Sequence, residues 1–266
     1  MYKTKILLLS IILLFQGACM QKKEPPYIPQ EGEVVTWKQN NHLIVKAKLG
    51  ERRKHIVNEH CPKCERDFYK PEREHYLGQF PIDYKPEKFS EISMVEAENL
   101  PLPYSDGQLE FNLMLNGSTV QATDSFHGSD SLDHPDQVKV RMRNPRFLGK
   151  NSKQIFETDL TLSLDRDLKT TQYGLDCYPD KERESVGCFS ESKNKKVSGF
   201  RFFYSPDHSK RIYVYSTERI YGGIEIQWIT DIKNINQAKN IDVAIWHLLD
   251  AWNVSPIKNS NEINED

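Results

Sequence analysis

The chain has 266 residues, with 36 Lys and Arg against 38 Asp and Glu, and a formal net charge of −2. A near-balanced chain of this kind lacks the basic stripe or patch that displaces counterions from nucleic acid, so nucleic acid is excluded as the expected partner. Its 38% hydrophobic and 11% aromatic content suffices for a packed core, and nothing after residue 18 approaches the ~18 consecutive apolar residues a membrane-spanning helix requires.

Lys3 and Lys5 form a positive region ahead of the apolar run from Ile6 to Phe15 (ILLLSIILLF). That run has the length of a signal-peptide core and is too short to span a bilayer. Gln16-Gly17-Ala18 then places small residues directly before Cys19. The segment resembles the lipobox of bacterial lipoproteins, with Gln16 standing where that family usually carries an aliphatic residue. The resemblance implies a signal peptide over residues 1–18, acylation of the Cys19 sulfur with diacylglycerol, and cleavage that makes Cys19 the new N-terminus. Because Met20 rather than aspartate follows, it also implies a lipid anchor in the outer membrane, facing the periplasm. Removal of residues 1–18 takes away two positive charges and no acids, from −2 to −4.

Residues 19–33 are rich in proline and charge and poor in apolar side chains, the composition of an extended, flexible tether. A globular domain is expected over 34–256, with a division into two subdomains near 145–155 as one arrangement, followed by a disordered tail over 257–266. Val34–Trp37 and Leu43–Leu49 read as strands about a turn at Gln39-Asn40-Asn41. Residues 51–106 are dense in charge and proline with weak periodicity, and are expected to be irregular, with one short helix around Cys61-Pro62-Lys63-Cys64 as an option.

From Leu109 the pattern alternates strictly, with Leu109, Phe111, Leu113 and Leu115 on one face and Glu110 and Asn112 on the other. Asn116-Gly117 follows, and Val120 and Ala122 resume the alternation, which predicts a tight hairpin about the Asn-Gly pair. Further strands are predicted at Val138–Arg143, Thr158–Leu164, Phe200–Tyr204, Arg211–Ser216 and Gly223–Thr230, the last three as an antiparallel meander. Ile241, Ala244, Ile245, Leu248 and Trp252 then recur at helical spacing over residues 237–253. The fold class is therefore α+β, mainly antiparallel meander and hairpins, with one C-terminal amphipathic helix packed on the sheet.

With Cys19 assigned to lipid, four cysteines remain, and an even set in an oxidising compartment reads first as disulfides. Spacing favours Cys61 with Cys64 and Cys177 with Cys188. Leu175 and Val186 fall on matching strand parities, so the second pair reads as a cross-strand bridge in a hairpin. For Cys61 and Cys64 a metal site or a redox pair stands as the alternative: no second CxxC completes a zinc ribbon, and no βαβ pattern surrounds the motif. No cofactor is expected.

The loop Asp124–Asp136 (DSFHGSDSLDHPD) reads as a solvated acidic loop, with calcium, or a transition metal drawn by His127 and His134, as the rival. Beyond it Lys139, Arg141 and Arg143 alternate with Val138, Val140 and Met142, placing three cations on one face of a strand. Asp130, Asp133 and Asp136 with Lys139, Arg141 and Arg143 form the expected partner-binding surface, since charge in this quantity is poorly used inside a core. No GxSxG, HExxH, P-loop or GxGxxG context is found, so an enzyme is not expected.

The arrangement of lipobox, proline-rich tether, stapled meander and terminal helix is similar to that of the immunity lipoproteins bacteria hold in the periplasm against type VI secretion toxins. The segments carrying that likeness are GFRFFYSPDHSKRIYVYSTERIYGGIEIQWIT and DVAIWHLLDAW. It implies a protein that captures a cognate toxin. Two other readings stand beside it: a thiol-redox or metal-handling envelope lipoprotein using Cys61 and Cys64, and a structural component of an envelope complex.

Overall fold

A computed structural model describes residues 27, 29–51, 74–102, 108–115, 134–144 and 149–257. Cys19, Cys61, Cys64, Asp130 and Asp133 lie outside the described residues, as does most of the tether. Eleven strands are found among the described residues: β1 (Val34–Asn40), β2 (Leu43–Lys48), β3 (Glu74–Pro81), β4 (Gln108–Met114), β5 (Gln137–Arg143), β6 (Thr170–Gln172), β7 (Leu175–Pro179), β8 (Val186–Ser190), β9 (Phe200–Tyr204), β10 (Arg211–Glu218) and β11 (Ile224–Asp231). The helices are α1 (Met94–Asn99), α2 (Ser152–Leu162) and α3 (Ala238–Trp252).

β1 and β2 form a two-stranded sheet, and the other nine form one sheet in the order β3-β4-β5-β11-β10-β9-β8-β7-β6. Every pair in the large sheet is antiparallel except β3 with β4. After β5 the chain crosses by way of α2 to the far edge, then returns strand by strand until β11 docks on β5 over Glu225–Thr230. The sheet therefore carries strands from both sides of residues 145–155. The α+β class and the C-terminal helix packed on the sheet are as predicted.

Strand parity builds the core. Leu109, Phe111, Leu113, Val138, Val140, Met142, Ile226, Trp228, Val214 and Phe202 share one face and are buried. α3 lays Ile241, Ile245, Leu248, Leu249 and Trp252 on that face, and β2 adds Leu43, Val45 and Ala47 to the same cluster. Trp252 meets Phe80 and Phe111, each with ring centroids 5.3 Å away, in the tilted and edge-on arrangements that aromatic quadrupoles favour. Cys177 and Cys188 stand directly opposite each other on β7 and β8 and form the predicted disulfide, closing a loop of sequence separation 11.

Two predicted elements are corrected. Thr158–Leu164 is not a strand: α2 covers Ser152–Leu162 and opens with a capping box, in which Asn151 Oδ1 accepts from Gln154 N–H at 3.0 Å and Gln154 Oε1 accepts from Asn151 N–H at 3.1 Å. Phe156 and Leu160 pack with Leu164 and Phe189, so the leucines that alternate at period two belong to the end of a helix and the bridge beyond it.

The stretch 51–106 is not irregular throughout, since it contains β3 and α1. β3 escapes a period-two search because the register shifts between Tyr76 and Gln79, which places the core residues Leu77 and Phe80 three apart. Gly78 sits in that bulge at φ +118, and a Cβ there would lie 2.7 Å from Gly50 Cα. The backbone of residue 50 comes close enough for its N–H to reach the Leu77 carbonyl at 2.9 Å.

The predicted Asn116-Gly117 turn, with Val120 and Ala122, lies outside the described residues. Over 108–114, β4 pairs with β3 on one side and β5 on the other, and Leu115 N–H reaches the Asp136 carbonyl at 2.9 Å. The antiparallel partner of Leu109–Met114 is thus Gln137–Met142.

Candidate partner-binding face

One residue out of step with the core row, the same strands present a second row. Cross-strand register sets Glu110 opposite Arg141, Arg141 opposite Gln227, Gln227 opposite Tyr215, Tyr215 opposite Arg201, and Arg201 opposite Phe189. Alongside run Asn112, Lys139, Ile229, Tyr213 and Phe203. This face points away from α3. Among the described residues α2 is the helix that packs on it, through Phe156 against Phe189 with ring centroids 5.4 Å apart and through Ser152 Oγ, which accepts from Thr217 N–H at 2.7 Å.

The side chains of the row hold one another. Gln227 Nε2 donates to Tyr215 Oη at 2.8 Å, and the Arg201 guanidinium lies 5.7 Å from the centre of the Tyr215 ring, within cation–π range. Arg201 Nη1 is 3.8 Å from Asp159 Oδ2 on α2. Burial holds the Asp159 carboxyl above its ordinary range, with Arg201 and Lys150 pulling the other way.

The predicted surface residues fall into three groups. Lys139 and Arg141 do not form an exposed cationic stripe. Lys139 Nζ lies 3.2 Å from Glu110 Oε1 with its side chain 4% exposed, and Arg141 Nε lies 3.4 Å from Glu110 Oε2 with its side chain 13% exposed. Both cations are compensated within the sheet, because the β4–β5 register sets Glu110 opposite Arg141 and diagonal to Lys139. Arg143 is the exposed one, at 51%, and pairs with Glu225 at 2.5 Å. Asp136 is half-buried and takes Lys233 Nζ at 2.7 Å, with His134 Nδ1 at 3.7 Å. The structure thus separates Asp136 from the Lys139–Arg141 network and gives each its own counter-charge.

Sequence reasoning did not single out Arg201, Tyr213, Tyr215 or Gln227. The available signal was the phase opposite to the apolar one in the meander. Among the described residues, no group of three or more His, Cys, Asp and Glu side chains converges as metal ligands would, and no helix is long and apolar enough to cross a membrane.

A separate polar cluster lies on the α3 side, where the β8–β9 loop meets the helix. Asp242 is buried, accepts from Ser192 Oγ at 2.6 Å and Trp246 Nε1 at 2.9 Å, and burial pushes its carboxyl up to about 6. Glu218 is also buried and raised, accepting from Ser198 Oγ at 2.6 Å. Tyr221, at φ 55, donates its hydroxyl to Asp250, and burial with that contact raises the phenol well above its usual range. The Ser192 and Ser198 contacts clip the 191–199 loop to the helix and to the core.

No protein-family model matches the chain, and no curated protein sequence matches it. Among solved structures, an immunity protein of the Stenotrophomonas maltophilia type IV secretion system overlaps 57% of this chain and 83% of its own, at 8% identity and a TM-score of 0.37. An overlap at that level does not establish a common fold.

Proposed function

We propose that this protein is an envelope lipoprotein, held by lipid on Cys19 at the periplasmic face of the outer membrane, that works by binding another protein, as an immunity protein neutralising a secreted antibacterial toxin. The observation that carries the binding reading is the row Arg141–Gln227–Tyr215–Arg201 with Tyr213 beside it and Arg143 at its margin. Tyrosine and arginine dominate binding hot spots, and strands hold them with little freedom left to lose. The Cys177–Cys188 disulfide supports an oxidising compartment.

In this reading the 124–136 loop, with Asp130, Asp133 and Asp136, and Arg143 set specificity, while Lys139 and Arg141 hold the face in shape through Glu110. The test is capture from the producing cells on the lipidated protein, identification of the partner by mass spectrometry, and titration of purified partner against Tyr215→Ala. A toxin whose killing is blocked by the native protein, and whose affinity falls at least tenfold in the variant, is the expected result. A partner without toxicity overturns the immunity reading, and unchanged affinity removes the sheet face. Lipid labelling of the native protein and of Cys19→Ser tests the anchor, which is wrong if the variant still takes label.

A further inference from the structure

Where the end of α2, the β7–β8 turn and the end of β9 meet, the structure has a groove of about 740 Å³, within the size range of pockets that take small ligands or protruding side chains. Two large apolar side chains open into it: Leu162, 75% exposed, and Phe203, 37% exposed. A leucine three-quarters exposed at the lip of a concave surface is the kind of apolar area a partner covers.

The rest of the wall is polar, with Ser163, Ser185 and Ser205 among charged side chains whose balance is acidic. Asp159, Asp180, Glu182 and Glu184 line it against Lys181 and Arg183. Asp180 Oδ1 accepts from Glu182 and Arg183 N–H groups at 2.9 and 3.1 Å, which fixes the shape of the turn. Glu184 projects into solvent with the His208 ring 3.8 Å away. α2 brings its negative end to the same place: its last turn has no basic residue, so the helix dipole favours a cation there. Arg166 donates to the Leu160 carbonyl and the Thr161 hydroxyl but is not part of the groove wall. At the α2 side, Asp159 Oδ2 is buried with no hydrogen-bond partner among the described residues, and Arg201 stands off at 3.8 Å. A further cation in the groove would offset that desolvation.

We propose that this groove docks a segment of a partner protein in which an arginine or lysine stands beside a leucine-sized apolar residue. The apolar side chain lies on Leu162 and Phe203, and the cation is held between Asp159, Glu184 and the α2 terminus. The proposal rests on the reading of the chain as a protein binder and adds a contact at the end of that face, where Phe203 stands opposite Tyr213 and Tyr215 itself is not part of the groove wall.

The test is an NMR titration of the 15N-labelled full-length protein with N-acetyl-leucyl-arginine amide, with N-acetyl-leucyl-glutamate amide run in parallel. The cationic peptide is expected to shift the signals of Leu162, Phe203 and residues 180–185 at millimolar concentration, with the acidic peptide at least tenfold weaker. Glu184→Gln, at an exposed site that cannot endanger folding, should weaken the cationic peptide about threefold. Asp159→Asn combined with it should weaken binding about tenfold, and Leu162→Ser should weaken both peptides. Equal responses to the two peptides, shifts located elsewhere, or an unchanged affinity in Glu184→Gln and the double variant would overturn it. Such a failure leaves the sheet face standing, because capture through Tyr215 reads different residues.

Discussion

Phe111, Val140, Trp228, Val214, Phe202 and Cys188 run in one cross-strand row on the covered face of the large sheet, while Glu110, Arg141, Gln227, Tyr215, Arg201 and Phe189 run one residue out of step on the other. The first row is fully buried beneath α3 and β2. The second is polar and aromatic, and its charges are matched by carboxylates of the sheet and α2. Both rows use the same backbone, so the difference lies wholly in side-chain parity. One face supplies apolar burial, the main source of stability. The other pairs its charges across strands and leaves Arg141, Gln227, Tyr215 and Arg201 partly exposed.

The largest expected effect comes from breaking the covered row. Trp228 has no exposed surface and lies 6.1 Å, ring to ring, from Phe200. Trp228→Ala should therefore lower stability by about 4 kcal/mol, the transfer and cavity cost of removing a buried tryptophan. Urea denaturation measures it. A loss under about 1 kcal/mol would mean that the two faces are not as unequal as their burial implies.

Asp242 sharpens the comparison, because it is a carboxylate on the covered side. Its folded-state value of about 6 against an ordinary 3.8 means that the folded protein binds this proton more tightly than the unfolded chain. Its contribution to stability therefore improves as pH falls from about 6 towards 4, and the penalty is complete above 6. Over that window the linkage amounts to about 3 kcal/mol. Glu218 is shifted in the same direction. Urea midpoints of the native protein and Asp242→Asn should converge on acidification and separate at pH 7 in favour of the variant. Parallel curves would show that Asp242 is ionised in both states.

On the other face the corresponding change is smaller. Glu110→Gln keeps the hydrogen-bonding shape but removes the charge that compensates Lys139 and Arg141. It should cost about 2 kcal/mol, between the loss of a neutral hydrogen bond and that of a buried ion pair. Thermal unfolding of the variant beside Trp228→Ala ranks the two faces directly.

The sequence makes the two rows unequally legible. The β9–β11 meander and α3 stand out because their apolar residues keep an unbroken period, two in the strands and about four in the helix. The Cys177–Cys188 bridge follows from parity in the same way. β3 is hidden by the bulge at Gly78, and α2 by leucines that alternate while Asn151 and Gln154, three apart, carry the capping signal. The polar row cannot be read at all until the partners are known. Lys-Val-Arg-Met-Arg looks like a wet stripe in isolation, and only the pairing of β4 with β5 shows Glu110 opposite Arg141 and beside Lys139. Tyr215 and Arg201 join that row through β11, which reaches β5 from more than eighty residues further along the chain.

The smallest expected change in stability belongs to the margin of the polar face, where binding should respond most. Arg143 is half exposed and paired with Glu225. Exposed pairs contribute little, so Arg143→Ala should alter stability by no more than about 0.5 kcal/mol. If the proposed partner lies across this face, the same change should weaken it about tenfold, or roughly 1.4 kcal/mol. Replacing Asp130, Asp133 and Asp136 together by serine should reduce affinity to a similar degree, because both sets of charges steer and register the same complex. Titration of the captured partner against the two variants and Tyr215→Ala locates the centre of the interface. Loss in all three places it along β5 and the 124–136 loop as well as β10. Loss in Tyr215→Ala alone confines it to the meander and removes the loop from the binding surface.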